Sequence, residues 1–254
     1  MERAAAPRSY WSDTRAPRYS LLFAAPLLLL YEALAFALSG QAVGGIRNGA
    51  DYLLKSVFIM LGGHTGLALF GVVLAGTAGW LIWRDWRTTR DLRPKRFLAM
   101  LAESVLYALL FGGVASRLTA ALLQPLAIGA AAVQEIGQGA FGLPTQLMVS
   151  LGAGLYEELL FRVLLVGALF AWLSKRARWP VWLAGTLATL VGAVVFSAFH
   201  YVGPFGDPWA LGSFTFRAVA GVLFSGLYLA RGFGIAAWTH ALYDVFLTLV
   251  LAGR

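Results

Sequence analysis

The chain has 254 residues, of which 59% are hydrophobic and 13% charged, with a net charge of +8 and no cysteine. A water-soluble domain carries roughly 25% charged residues, so composition excludes one. The lack of cysteine excludes disulfides, thiolate metal sites and a cysteine nucleophile.

The apolar residues fall in continuous runs of about 20, the length that crosses a hydrocarbon layer as a helix. They do not alternate as barrel strands do, so the expected fold is all-α, a polytopic transmembrane bundle. Residues 1–18 carry Arg3, Arg8, Arg15 and Arg18 and read as a basic cytosolic tail. A first span follows from about Tyr19 to Ser39, longer than the 7–15 apolar residues of a signal peptide even though Ala35-Phe36-Ala37 resembles a cleavage site. Asp51 to Leu61, closed by Gly62-Gly63, is short enough to be interfacial or re-entrant. Further spans are expected at Gly66–Trp83, Phe97–Leu118, Gln146–Leu173, Val181–His200, Ser213–Ala230 and Phe233–Leu251, about seven in all. The Gly- and Ala-rich Ala120–Thr145 stretch, with Glu135, fits no element. No internal repeat divides the chain, which separates only into the tail, an N-terminal transmembrane region over 19–145 and a candidate catalytic core over 146–254.

Charge placement sets an orientation. With the N-terminus inside, the tail, the Arg84–Arg96 loop, Lys175, Arg176, Arg178 and Arg231 hold 14 of the 20 basic residues on the cytosolic side. The surplus of positive charge is therefore a topology signal with some attraction to anionic lipid, and nucleic acid is excluded as a partner. Trp80, Trp83, Trp86, Trp172, Trp179 and Trp182 flank the same loops as an interfacial belt.

Ionisable groups inside spans cost several kcal/mol, about 2.5 or more each, and so need a partner or a task. Glu32, Glu103, Glu157, Glu158, Asp244, Arg117, Arg162, His200 and His240 fall there. Glu158 and Arg162 are four apart and share a helix face, which ties that carboxylate down. Glu157 lies about 100° round the helix, away from the same arginine, and an unpaired desolvated carboxyl suits a general acid or base. His200 ends an apolar span, where a purely interfacial role is the plain reading. His240 and Asp244 share a face of the last span, as an oriented histidine, half a metal site or a satisfied interhelical contact. Counted from the outer ends of their spans, Glu157 and His240 lie level at about 17 Å, while His200 falls near an outer end.

Glu157-Glu158-x-x-x-Arg162, Phe196-x-x-x-His200 and His240-x-x-x-Asp244 resemble the three motifs of the CAAX-protease and bacteriocin-processing (Abi, lysostaphin-resistance-protein-like) family of intramembrane peptidases. The resemblance covers about Gln146 to Leu251. It implies that Glu157 activates water with help from His200, that Glu158 pairs with Arg162, that Phe196 supports the site, and that His240 and residue 244 stabilise the oxyanion. The prenyl endopeptidases of that family carry asparagine where this chain has Asp244. An ionised aspartate donates no hydrogen bond, so Asp244 either carries a proton or orients His240 instead.

The expected protein is thus a multi-pass peptidase of a bacterial inner membrane, without cofactor, acting on a membrane-associated or lipid-anchored peptide. Two alternatives stay open. Glu157, His200 and His240 are also a possible ligand set for a catalytic zinc, and buried Glu and His serve proton relays in transporters as well as in non-catalytic immunity proteins. Serine and aspartyl intramembrane proteases fit poorly. Ser225-Gly226 lacks a leading GxSG glycine, and Tyr243-Asp244 lies in the last span with no GxGD span after it.

Overall fold

The computed structural model describes residues 9–39, 46–126, 141–203 and 206–253. Arg3, Arg8 and Glu135 lie outside these residues. The described chain is helical, with no strand among them. A short α1 (Tyr10–Thr14) leads into α2 (Pro17–Ser39), α3 (Gly49–Thr89) and α4 (Pro94–Leu123). A long rod then runs as α5 (Leu143–Gly152), a π-helix π1 (Ala153–Val166), α6 (Gly167–Ala171) and a second π-helix π2 (Trp172–Arg176). It is followed by α7 (Val181–Phe199), α8 (Leu211–Arg231) and α9 (Phe233–Ala252).

Six of these helices, α2, α3, α4, α7, α8 and α9, are long and apolar enough to cross a membrane. The seventh expected span, Gln146–Leu173, falls on the rod, where α and π turns alternate. The protein is an integral multi-pass membrane protein. Its outward surface agrees: Leu29, Met60, Val72, Leu98, Val181 and Trp182 are exposed apolar side chains, as contact with lipid requires. The six belt tryptophans also stay exposed, with the Arg84 guanidinium 4.6 Å over the Trp80 ring.

The short stretch before Gly62-Gly63 is not separate from the next span. It joins α3 across a sharp kink at those two glycines, where Gly63 takes φ 57° and ψ −137°, a conformation that glycine reaches without Cβ strain. Phe58 and Phe70 meet edge to face across the bend, with ring centroids 5.3 Å apart.

Helix α9 forms the centre of the bundle, packed on α2, α4, α5, π1 and α8. Hydrophobic attraction between helices is weak in lipid, so close approach depends on small residues. A Cβ on Gly154 of π1 would collide with the Ala237 carbonyl and Ala241 of α9. Gly154→Ala is therefore expected to force the two helices apart and to cost about 1–3 kcal/mol. Thermal unfolding in detergent measures this, and an unchanged midpoint would rule the contact out as a constraint.

Polar clamps tie the ends. Arg231, expected on an inner flank, is buried and grips Glu103 with Nε and Nη2 at 2.6 and 2.8 Å, and the Tyr10 hydroxyl donates to the same carboxylate at 2.7 Å. Arg18 is buried between Asp13 and Asp85 at 2.9 and 2.8 Å. Glu103 is thus a packing group remote from the three motifs. Glu32 belongs to a second cluster: Arg47 and Lys55 contact its two oxygens at 2.7 and 2.8 Å, and Lys55 also meets Asp51 at 2.8 Å.

Candidate active site

The first motif lies in π1, where backbone bonding widens from i→i+4 to i→i+5, as in Gly167 N–H to the Arg162 carbonyl. Such segments are uncommon and concentrate at functional sites. Glu158 is fully buried, with Oε2 3.4 Å from Arg162 Nε. Its other oxygen, Oε1, lies 2.8 Å from His240 Nδ1. The carboxylate expected only to neutralise Arg162 therefore also fixes the histidine of the third motif. Arg162 is itself buried, its guanidinium 4.3 Å over the Phe196 ring and 5.4 Å over Phe224, so aromatic faces hold much of its charge.

Glu157 faces the other way, as its place on the helix predicts. Its Oε2 lies 4.0 Å from His200 Nε2 and 4.0 Å from His240 Nε2. It is not unpaired, however. Asn48, at the start of α3, donates from Nδ2 to Glu157 Oε1 at 2.8 Å.

His200 follows the last residue of α7, near the boundary read from sequence, yet it reaches Glu157. Here α7 stops while the rod carrying Glu157 continues to Leu143, and Asn48 caps α3 at the same level. A Cβ on Gly49 would stand 3.3 Å from the Phe199 ring, which shows how close the two helix ends come. The depth count placed His200 apart because it assumed that all spans begin in one plane. His200 Nδ1 lies 2.9 Å from the Phe196 carbonyl one turn back. A carbonyl only accepts, so Nδ1 carries the proton and a neutral ring turns its Nε2 lone pair towards Glu157.

The His240 ring is held on both sides, by Glu158 at its edge and by Phe224 stacked on its face at 4.3 Å. Asp244 Oδ2 lies 3.6 Å from His240 Nε2, beyond a hydrogen bond, and its side chain is 28% exposed. The hydrogen bond that orients the ring is the one to Glu158. The connection from α7 to α8 is tied down by an Arg217–Asp207 ion pair and by the Asp207 amide donating to the His200 carbonyl at 2.9 Å.

Glu157, Glu158, Arg162, Phe196, His200, His240 and Asp244 all converge here. Asn48 and Phe224 complete the site and were missed in the sequence. Asn48-Gly49-Ala50-Asp51 is legible as a helix start, but nothing local marks it as a neighbour of a glutamate 109 residues away. Among the described residues no three His, Asp or Glu side chains form a metal-binding group. With Glu157 4.0 Å from each histidine, the arrangement is wider than a tetrahedral zinc shell.

A multi-pass helical membrane protein with a buried carboxylate–histidine centre is the class that this geometry defines. Residues 139–246 match the family model Type II CAAX prenyl endopeptidase Rce1-like. The match agrees with the resemblance read from the three motifs and covers the segment that carries them. No curated protein and no solved structure matches the chain at a significant level.

Proposed function

We propose that this protein is an intramembrane endopeptidase that hydrolyses a peptide bond of a membrane-associated or lipid-anchored substrate through water activated by Glu157 and His200. The observation that carries this reading is the convergence of Glu157 Oε2 on the Nε2 atoms of both histidines, 4.0 Å from each. Two acceptors at such a separation are bridged by one water, which gives one O–H to Glu157 and the other to His200. Its lone pair is then free to attack a carbonyl, and Glu157 takes the proton as the bond forms.

On the other side of that water, His240 with its Nδ1–H on Glu158 presents Nε2. As an imidazolium it donates from there to the developing oxyanion, and a protonated Asp244 adds a second donor. Charge stabilisation of this kind is often the largest single contribution to peptide hydrolysis. Return of the proton from Glu157 to the leaving amine completes the cycle. The family match over 139–246 supports a peptidase rather than a transporter or immunity factor. The charge asymmetry supports a cytosolic N-terminus, and a bacterial inner membrane is the proposed location.

The test is cleavage of quenched fluorogenic peptides, with and without a lipid anchor, by the purified protein in detergent. Cleavage at one internal bond is expected, with a rate that strong chelators leave unchanged. Activity abolished by chelation and restored by zinc would favour the metal reading. A folded protein that cuts no peptide would sink the peptidase.

A further inference from the structure

Glu157 has two carboxylate oxygens in different settings. Oε2 faces the histidines, whereas Oε1 accepts the hydrogen bond from Asn48. The terminal torsion of a glutamate is broad and roughly two-fold, so packing alone orients it loosely. Asn48 is itself rigidly set. It is 4% exposed, its Oδ1 accepts the Ala50 amide at 2.9 Å as the cap of α3, and its backbone N–H donates to the Tyr31 hydroxyl at 3.2 Å. That hydroxyl in turn donates to Asp51 Oδ2 at 2.7 Å. Gly152, one turn before Glu157, leaves room for this approach, since a Cβ there would stand 2.9 Å from Asn48 Cβ.

Charge matters as well as position. Arg47 and Lys55, the basic residues beside Asn48 at the start of α3, are engaged by Glu32 and Asp51, and Arg162 lies against Glu158. The group that hydrogen-bonds Glu157 Oε1 is a neutral amide, which fixes a carboxylate without quenching it as an ion pair would. Asn48 also lies outside the segment 139–246 that matches the family model.

From this we propose that Asn48 is a positioning residue for the reaction, holding Glu157 Oε1 so that Oε2 stays aimed at the water between the two histidines. The N-terminal region then supplies one wall of the catalytic centre. This inference rests on the peptidase reading.

Capping and positioning are separable by substitution. Asp and Ser cap helices about as well as Asn, but Asn48→Asp sets a carboxylate oxygen against Glu157 and Asn48→Ser withdraws the donor. Both are expected to keep the wild-type KM while kcat falls by about 100-fold, Asn48→Ser with a midpoint close to wild type and Asn48→Asp with a lower one because it buries a second carboxylate beside Glu157. Asn48→Ala should lose kcat and also unfold earlier. Glu157→Gln is run beside them. If it is inactive while Asn48→Asp and Asn48→Ser turn over like wild type, the positioning role is wrong and the peptidase stands. A kcat loss that appears only together with the lowered midpoint of Asn48→Ala assigns Asn48 to capping and overturns the proposal. A wild type that cuts nothing, or that Glu157→Gln matches, removes the peptidase reading and this inference with it.

Discussion

Glu157→Gln is expected to lower kcat for peptide cleavage by about 10²–10⁴-fold, the range that a general base supplies. The substitution keeps size and shape, and a glutamine carbonyl still accepts from Asn48, whose Nδ2 stands 2.8 Å from the present Oε1. The amide nitrogen then faces the histidines, where it can accept no proton from water. Folding and membrane insertion should survive, because the change removes a buried charge rather than stranding one. The measurement is kcat on a lipid-anchored peptide alongside thermal unfolding in detergent. Retention of a tenth or more of wild-type turnover would assign the base to another group.

Arg162→Met is expected to have the largest effect on stability, about 3–5 kcal/mol, because it leaves Glu158 as an uncompensated charge in the bundle interior. Glu158 is 0% and Arg162 1% exposed, so water reaches neither. The guanidinium also fills the gap between the Phe196 and Phe224 rings, 4.3 and 5.4 Å from their centroids. The double variant Glu158→Leu/Arg162→Met should recover much of the lost stability, since no lone charge remains. It should not recover cleavage, because His240 then lacks the carboxylate 2.8 Å from its Nδ1. Unfolding midpoints for the single and double variants, with turnover for each, check both halves. A single variant as stable as wild type would show that Glu158 does not need its arginine.

The helices were largely legible because a bilayer fixes the length of an apolar run, and the three motifs fell on helices that pack together. The split between Glu158, tied to Arg162, and Glu157, facing elsewhere, followed from their angular offset alone. Three features were not legible. The wide turns of π1 have no residue signature, since nothing in Ala153–Val166 departs from ordinary helical composition. Helix-end levels depend on the whole bundle, which is why His200 seemed too shallow. The partners Asn48 with Glu157 and Glu158 with His240 are long-range contacts, 109 and 82 residues apart, and arise only once the chain is packed. The i, i+4 spacing of His240 and Asp244 pointed to one carboxylate near the ring, 3.6 Å away, whereas the 2.8 Å hydrogen bond is made to Glu158 on another helix.

The cluster of Glu32, Arg47, Asp51 and Lys55 bears on how the chain enters the membrane. Glu32 lies on α2, whereas Arg47, Asp51 and Lys55 lie at and beyond the start of α3, and the four charges cancel only when these two segments are side by side. Inserted singly, α2 would carry one negative charge into hydrocarbon and the start of α3 one net positive charge, each costing several kcal/mol. A closed α2–α3 hairpin is therefore the unit that partitions favourably during biogenesis.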